Sequence, residues 1–210
     1  MKLYDYLDSG NGYKVRLTLA HLGLACEWTE CDILHGATRT PEFLARNPNG
    51  RIPLLELDDG TCIAESNAII WYLAEGSPLV PYERLARAQV LQWMFFEQYS
   101  HEPYVATPRH IVKHLPADSA RRAELPDRLE RGRAAFTVME RHLTTLRFFV
   151  GERYTIADIS LYAYSHVAHE GGHDLAPCPH ARAWLDRAAD QPGHRPLTSR
   201  PVGKAPPATR

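Results

Sequence analysis

Hydrophobic and polar positions change their spacing near residue 77, and this change divides the chain into two parts. In the first part, short segments place apolar side chains at alternate positions, which is typical of strands that bury one face. Segments with apolar residues three and four positions apart, which is helical spacing, lie between them. The predicted order is strand 2–6, helix 11–22, strand 26–33, a short helix that begins at Thr40, a hairpin over 52–64 and helix 66–75. This βαβ–ββα order predicts a small α/β module.

After Pro81 no segment has the spacing of a strand, so the second part is predicted to be all-helical. Pro103 and Pro108 should kink or divide the first helical segment, because proline lacks the amide donor that a helix interior needs. The expected helical segments cover residues 85–114, 125–146, 155–169 and 180–189. Residues 191–210 contain five prolines and few apolar side chains. The predicted organisation is a first domain over residues 1–76, a linker over 77–84, a helical domain over 85–192 and a flexible tail over 193–210.

Composition narrows the classes of function. The 210-residue chain has a net charge of −1 and a pI of about 6.8, so it lacks the basic field needed to hold nucleic acid or an anionic membrane. No apolar run approaches the ~20 residues of a membrane-spanning helix. The N-terminal residues turn polar too early for a signal peptide, and the four cysteines show no paired spacing. We therefore expect a cytoplasmic protein with free thiols that binds neither nucleic acid nor membrane.

Two short motifs in the first module indicate a binding site. In the segment 47–53 (NPNGRIP), a proline stands at the entry of a strand. It is either an ordinary loop proline or part of a cis Ile52-Pro53 bond that leaves the Ile52 backbone to pair with a ligand. Further on, Glu65 and Ser66 open a helix. A carboxylate beside a helix N-terminus suits the two charges of an amino-acid zwitterion, and the alternative is a plain helix cap.

The order of elements and these two motifs resemble the thioredoxin-like domain of cytosolic glutathione transferases. The helical part supports the resemblance through the segments 97–103 (EQYSHEP) and 151–158 (GERYTIAD). In the latter, Thr155 can cap a helix and Asp158 can bond back to it. The resemblance covers residues 1–192 and is to the bacterial serine-type branch, which is theta- or nu-like. It implies a thioredoxin-like α/β domain followed by an all-α domain.

The resemblance also implies a glutathione site in the first domain. Ile52, the residue before the cis-proline, would pair with the cysteinyl backbone of glutathione, and Glu65 with Ser66 would hold its γ-glutamyl end. His35 and Arg51 are candidates for the glycyl carboxylate, and the alternative is that both are solvated loop residues. The implied glutathione-binding set is His35, Arg51, Ile52, Pro53, Glu65 and Ser66.

The turn after the first strand, residues 7–14 (LDSGNGYK), contains no cysteine, so dithiol redox chemistry is not expected there. In serine-type transferases, which it resembles, a hydroxyl in this turn bonds the glutathione sulfur. A thiol has a pKa of ~8.5, and a hydroxyl donor at the positive end of a helix lowers it. Ser9 is the first candidate for this role and Asn11 is the second, and either could instead only cap the helix. Many bacterial relatives carry a cysteine where this chain has Gly12, so a mixed disulfide is not expected here.

The second substrate of such an enzyme is hydrophobic and electrophilic, and its pocket is expected between the two modules. The candidates are Tyr13, Tyr99, Tyr104 and His110, and the alternative is that these aromatic residues belong to the core. A rival motif, the segment 169–173 (HEGGH), matches the H-E-x-x-H zinc signature. Its two glycines each disfavour a helix interior by ~1 kcal/mol and instead predict a helix end, so no metal is expected.

The resemblance thus implies a homodimeric glutathione transferase with a role in detoxification, and a cytoplasmic location is expected. Glutathione would be the co-substrate, and its thiolate would attack an electrophile or a peroxide. In this family a carboxylate of one subunit often meets the γ-glutamyl amine held by the other, and Glu97 and Gln98 are both considered for this contact. The alternative is a glutathione-binding or interaction protein that keeps the fold without catalysis. The motifs above predict binding in both cases.

Overall fold

The computed structural model describes residues 1–203, which form two compact units. The first unit contains residues 1–75 together with the C-terminal segment from residue 192, and the second contains residues 76–191. The change of pattern along the sequence therefore coincides with the change of unit. The C-terminal segment belongs to the first unit although it follows the second along the chain.

The first unit is built on a four-stranded sheet in the order β2-β1-β3-β4. Its strands are β1 (Lys2–Asp5), β2 (Glu27–Glu30), β3 (Leu54–Glu56) and β4 (Cys62–Ala64), and its helices are α1 (Gly10–Leu22), α2 (Pro41–Arg46) and α3 (Ser66–Ala74). β1 runs parallel to β2 and antiparallel to β3, and β4 is antiparallel to β3. Leu3 lies opposite Trp28 on one side and Leu55 on the other, so the central strand is fully buried at that point.

Local sequence signals set the helix ends of the first unit. Ser9 caps α1 by accepting the Gly12 amide hydrogen at 3.2 Å, and Gly23 ends the helix with a φ of 64°. Glycine adopts this left-handed backbone without steric cost. Thr40 caps α2, and Pro41 occupies its first position, where no amide donor is needed. The predicted cap and first position of α2 and the predicted stop at Gly23 are confirmed, and α1 begins at Gly10, one residue before the predicted start.

The second unit consists of helices and turns. The helices are α4 (Arg84–Phe96), α5 (Glu102–His114), α6 (Leu125–Leu143), α7 (Ile156–Ser165) and α8 (Pro179–Ala189). The predicted division of the first helical segment occurs at a π-helical turn, Glu97–His101, because Pro103 has no amide hydrogen for the regular helical pattern. Pro108 instead lies inside α5. A thioredoxin-like α/β domain followed by an all-α domain is therefore the observed fold, as predicted.

Helix α7 is buried along its whole length and starts with the predicted capping box. Thr155 Oγ1 accepts the Ala157 amide hydrogen at 3.3 Å, and Asp158 Oδ2 accepts that of Thr155 at 2.9 Å. The other carboxylate oxygen of Asp158 accepts from the Phe149 amide at 3.1 Å and from the Trp184 indole at 3.0 Å. The box thereby ties α7 to the preceding loop and to α8.

The structure differs from the predicted flexible tail over residues 193–203. This segment lies along α1, where the buried Arg16 guanidinium donates to the Leu197 and Ser199 carbonyls. The Cys26 amide donates to the Val202 carbonyl at 3.0 Å. A buried guanidinium requires acceptors, and the segment supplies them. Residues 204–210, the remainder of the predicted tail, lie outside the described residues.

The four cysteines are free thiols, as expected from their spacing. Two of them, Cys26 and Cys31, are buried in the first unit, where burial raises the pKa of the Cys31 thiol. Among residues 1–203, no helix combines the length and the hydrophobicity that spanning a membrane requires.

Candidate functional site

The turn between β1 and α1 places polar groups at the N-terminus of a 13-residue helix. Ser9 is half-buried, and its hydroxyl oxygen accepts the Gly12 amide hydrogen. A hydroxyl that accepts one bond keeps its own hydrogen to donate. Asn11 is also half-buried and accepts the Ser66 hydroxyl through Oδ1 at 3.3 Å. The turn can therefore offer a hydroxyl donor and the positive end of a helix to an anion.

The first residue of α3 faces this turn. Ser66 is 4% exposed, donates to Asn11 and accepts from Lys14 Nζ at 3.4 Å. Lys14 is fully buried, so a buried ammonium group contacts the hydroxyl of Ser66, the first residue of α3. A cation and a helix N-terminus together favour a carboxylate at this point. Sequence reasoning missed Lys14, because lysine is usually solvated and nothing local marks this one as buried.

The entry of β3 has the backbone geometry that the 47–53 motif predicts. The Ile52-Pro53 bond is cis. Asn47 braces the loop, because its Nδ2 donates to the Arg51 carbonyl at 2.8 Å and its Oδ1 accepts the Asn49 amide hydrogen at 3.1 Å. Within residues 1–203, neither the amide nor the carbonyl of Ile52 has a hydrogen-bond partner. Both groups can therefore pair with an extended peptide backbone.

Glu65 has a left-handed backbone with a φ of 68°. It is the only non-glycine residue with a positive φ in the described part of the chain. Such a conformation is uncommon outside glycine and often occurs at functional sites. The Glu65 side chain is exposed and makes no cap bond to α3, whereas its carbonyl accepts the Ile69 amide hydrogen at 2.9 Å. The chain thus turns so that the Glu65 carboxylate stays outside the helix that Ser66 begins.

The two residues predicted for the glycyl carboxylate are both exposed in the first unit. His35 ends a short 3₁₀ turn, Ile33–His35, and its Nδ1 lies 2.7 Å from Asp32 Oδ2. This contact is the main cause that lowers the pKa of Asp32. Arg51 directly precedes the cis pair, and its carbonyl is held by Asn47. Both side chains remain predictions for a carboxylate contact.

Beneath the turn lies a buried ion pair that sequence reasoning missed. Asp5 and Arg16 are 0% and 3% exposed, and Arg16 Nε donates to Asp5 Oδ2 at 2.8 Å. The other oxygen, Oδ1, has no hydrogen-bond partner among the described residues. Burial raises the pKa of Asp5 to about 6, although Arg16 opposes the shift. A Cβ on Gly12 would lie 1.5 Å from Oδ1, so this position has no room for a cysteine or any other side chain.

Comparison with known proteins identifies the family. The chain matches the family model of the glutathione S-transferase N-terminal domain over residues 1–75 and that of the C-terminal domain over residues 120–187. A solved glutathione S-transferase from Pseudomonas fluorescens Pf-5 is 52% identical, with a TM-score of 0.91 over 94% of this chain and 98% of that one. The chain belongs to the glutathione S-transferase family.

The curated relatives of this chain have different names. A maleylacetoacetate isomerase from Rhizobium meliloti (strain 1021) is 36% identical over 84% of this chain and 85% of the relative. An elongation factor 1-gamma from Artemia salina is 32% identical over 80% of this chain and 40% of the relative. The chain thus spans most of the isomerase and less than half of that elongation factor. Membership of the family does not by itself select one activity.

The residues of the second unit that were predicted for the electrophile pocket differ in exposure. Tyr99 is 84% exposed on the π-helical turn, Glu97–His101. Tyr104 is half-buried, and its hydroxyl accepts from Arg131 Nη1 at 3.2 Å. His110 is half-buried, and burial, followed by the nearby His114, lowers its pKa. An imidazole and a phenol are therefore present on α5.

Burial changes the interpretation of two other candidates. Tyr13 is 1% exposed, and its hydroxyl donates to the Arg195 carbonyl at 2.5 Å, so it packs against the C-terminal segment within the first unit. The role of Tyr13 in the electrophile pocket remains a prediction. Glu97 is fully buried and accepts the Ser160 hydroxyl at 3.2 Å, whereas Gln98 is exposed. Of these two, only Gln98 is at the surface.

The H-E-x-x-H segment is a helix end, as its glycines predict. After α7, a short 3₁₀ turn, Ala168–Gly171, is closed by Gly172 with a φ of 94°. Glu170 accepts from Arg109 Nε at 2.8 Å, and His173 is buried with its Nε2 bonded to a backbone carbonyl. The two histidines do not share one helix face. Across residues 1–203, no three metal-ligating side chains converge.

Proposed function

We propose that this protein is a serine-type glutathione transferase in which the β1–α1 turn activates the thiol of glutathione. The observation that carries the proposal is the half-buried Ser9 hydroxyl at the N-terminus of α1, in the same unit as the unpaired Ile52 backbone. Donation of the Ser9 hydrogen to sulfur and the positive helix end both favour the thiolate over a thiol of pKa ~8.5. The thiol proton passes to solvent, and the thiolate then attacks the electrophile.

Each part of glutathione has a matching group in the first unit. The amide and carbonyl of Ile52 pair with the cysteinyl backbone in the manner of an added strand. The Glu65 carboxylate receives the γ-glutamyl ammonium. The γ-glutamyl carboxylate lies at the N-terminus of α3, where the Ser66 backbone amide donates and the buried Lys14 adds positive charge. The proposed glutathione site consists of His35, Arg51, Ile52, Pro53, Glu65 and Ser66.

Ser9 is the preferred sulfur ligand, and Asn11 is the alternative. Asn11 already accepts the Ser66 hydroxyl at 3.3 Å, so turning it toward sulfur would disturb the start of α3. The test is the pH titration of thiolate absorbance for bound glutathione, together with kcat/KM, in Ser9→Ala and Asn11→Ala. Ser9→Ala should raise the bound-thiol pKa by about 1 unit and lower kcat/KM at neutral pH by roughly tenfold.

The control for this test is Thr40→Ala. Thr40 caps α2 as Ser9 caps α1, so its loss should cost about 1 kcal/mol of folding free energy without moving the thiol pKa. An unchanged kcat/KM in Ser9→Ala with a reduced one in Asn11→Ala would transfer the role to Asn11. Equal effects of Ser9→Ala and Thr40→Ala would mean that Ser9 only caps its helix.

The electrophile is proposed to be hydrophobic, or a peroxide, and to contact Tyr99, Tyr104 and His110 of the helical unit. The isomerase relative is a reason to test one more kind of substrate, which isomerises when glutathione adds to it and is then eliminated. That reaction also begins with thiolate attack. A panel should therefore contain an activated aryl halide, a hydroperoxide and a cis-enone acid. Tyr104→Phe tests the phenol, because it removes the hydroxyl and keeps the ring.

A second candidate function is glutathione binding without turnover, as part of a larger assembly. The elongation factor 1-gamma relative favours this alternative, because its name is that of a translation factor rather than of an enzyme. The two functions differ in one measurement. A bound-thiol pKa near 8.5 with no turnover across the panel supports the binding protein, and a lowered pKa with turnover supports the enzyme.

The protein is further proposed to act as a cytoplasmic homodimer in detoxification. Leu91, Phe95 and Tyr99 follow one another at four-residue intervals along α4 and its π-helical turn, and they are 36%, 68% and 84% exposed. An apolar stripe of this kind is typical of an interface. Phe95→Glu should give monomers in sedimentation velocity, whereas Tyr82→Glu, at a residue that is 78% exposed but outside the stripe, should not.

A further inference from the structure

The guanidinium of Arg16 binds the turn between β1 and α1, which carries Ser9 and is called the Ser9 turn below. Arg16 is 3% exposed, and its Nη2 donates to the Leu7 carbonyl at 2.7 Å and, over a longer distance of 3.4 Å, to the Ser9 carbonyl. Its Nε donates to Asp5. The Ser9 carbonyl also accepts the Tyr13 amide hydrogen at 2.9 Å as α1 begins. The backbone on both sides of Asp8 is therefore anchored to one side chain.

The same guanidinium holds the C-terminal segment, residues 192–203. Arg16 Nη1 donates to the Leu197 carbonyl and to the Ser199 carbonyl, the latter at 2.9 Å. These residues lie more than 180 positions after Arg16 in the sequence. All three nitrogens of the guanidinium are thus in use, one for Asp5, one for the turn and one for the segment.

Polar bonds rather than close packing attach the C-terminal segment to α1. A cavity of about 190 Å³ lies between them and is lined by Arg16, Leu17 and Pro196, among others. Leu197 is the buried apolar side chain of the segment, with 9% exposure, while Thr198 beside it is exposed. A contact that leaves a cavity gains less stabilisation from dispersion attraction than a fully packed contact does. The segment is therefore attached through its backbone carbonyls, and Arg16 binds two of them, those of Leu197 and Ser199.

We propose that Arg16 is a positioning residue for the Ser9 turn and that the C-terminal segment acts on this turn through it. If the segment lifts away, two acceptors are lost and the buried guanidinium must turn to find others. Its hold on the Leu7 and Ser9 carbonyls then weakens, and the Ser9 hydroxyl loses its fixed direction. The functional part of this inference rests on the proposed function, because only then does Ser9 meet a sulfur. The mechanical part does not.

The fork of donors makes arginine specific for this position. Lysine carries the same charge but presents it as a point, so it can pair with Asp5 without spanning the turn and the segment. Arg16→Lys therefore separates the role of charge from that of geometry. Leu197→Glu separates the segment from the turn, because a carboxylate at a buried position forces the chain outward. Thr198→Glu is the matched control, since it adds the same charge one residue away on the exposed side.

The first measurement is amide hydrogen exchange of the ligand-free, full-length protein. Exchange at the Gly12 and Tyr13 amides, which bond to Ser9, should become at least tenfold faster in Leu197→Glu and in Arg16→Lys. The Thr198→Glu protein should match the wild type. Unchanged exchange at these two amides in both test variants would overturn the inference, whatever the activity. Accelerated exchange over the whole first unit would also overturn it, because the effect would then be general unfolding.

The second measurement is the pKa of bound glutathione in the same four proteins. Leu197→Glu and Arg16→Lys should raise it by about 0.5–1 unit relative to the wild type and to Thr198→Glu. A wild-type protein that does not lower the thiol pKa contradicts the proposed function, and the exchange data then still decide the mechanical inference. If the wild type and the three variants all lower the thiol pKa of bound glutathione equally, only the role of Arg16 and the segment is contradicted.

Discussion

The two units each bury one aspartate beside the start of a helix, and the surroundings of these two carboxylates differ. Asp158, at the start of α7, accepts hydrogen bonds at both oxygens from backbone, hydroxyl and indole donors. Asp5, below the start of α1, shares one oxygen between Arg16 and Trp28 and leaves the other unpaired within the described residues. Burial raises the pKa of both to about 6.

This difference separates a structural helix start from one that belongs to the proposed glutathione site. A buried carboxylate whose lone pairs are all used holds neighbouring segments in one arrangement and has nothing left to offer. An unsatisfied buried oxygen is costly and needs an explanation in a native protein. Here it lies against Gly12, in the turn that carries Ser9 and Asn11. The start of α1 therefore contains an unsatisfied buried carboxylate oxygen, whereas both carboxylate oxygens at the start of α7 are hydrogen-bonded.

The largest expected effect comes from filling the space beside Asp5. Gly12→Ala places a methyl group 1.5 Å from Asp5 Oδ1, so α1 or β1 must shift, and we expect a loss of about 3 kcal/mol in the free energy of unfolding. Urea denaturation measures it. Gly203→Ala, at a glycine with no atom near its Cβ position, is the control. A Gly12→Ala protein as stable as this control would show that the turn is not packed as described.

Asp5→Asn should have a comparable effect on stability, because it leaves the buried Arg16 without its counter-charge. We expect a loss of about 3 kcal/mol together with a measurable rise in the bound-thiol pKa, since Arg16 also holds the turn. Urea denaturation and the thiolate titration test the two parts separately. A stability loss with an unchanged thiol pKa would make Asp5 as purely structural as Asp158.

Asp158→Asn should lower stability by about 2 kcal/mol and leave the thiol pKa of the folded protein unchanged. The new amide group faces hydrogen-bond donors in a network that has no acceptor for it. Asp118→Asn, at an exposed aspartate of the same unit, should change neither quantity. A shifted thiol pKa in Asp158→Asn would remove the distinction between the two helix starts.

The smallest effect is the pH dependence that both aspartates contribute. Their folded-state pKa of about 6 lies above the ~3.9 of an unfolded aspartate, so the folded protein binds these protons more tightly between pH 4 and 6. The protonation of each carboxyl therefore adds about 1 kcal/mol to the free energy of unfolding as pH falls from 7 to 5. This contribution is lost as pH rises through 6.

Half-buried and buried histidines oppose this trend, because partial or full burial lowers the pKa of His21, His142 and His173. The test is therefore a difference in which their contribution cancels. The stability gained by the wild type between pH 7 and pH 5 should exceed that gained by Asp5→Asn, and that gained by Asp158→Asn, by about 1 kcal/mol each. Parallel pH profiles would contradict the raised pKa values.

Sequence patterns with a local cause predicted their part of the structure. The capping box at Thr155 and Asp158, the glycine stop at Gly23 and the helix end at Gly172 each follow from bonds within a few residues, and each is observed. Non-local facts were missed. The burial of Lys14 depends on α3, which lies more than fifty positions further along the chain, and no periodicity within α1 indicates it.

By itself, the sequence determined the family-like order of strands and helices, the helix ends and the residue types of the Ser9 turn, because spacing, caps and glycines act over short distances. Only the tertiary structure decided which of these residues are buried and which groups meet. It turned Tyr13 inward, placed Asp5 against Gly12, and brought the segment after residue 192 to Arg16. The physical reason is that a buried charge takes its partners from wherever the fold supplies them, and such partners leave no local signal in the sequence.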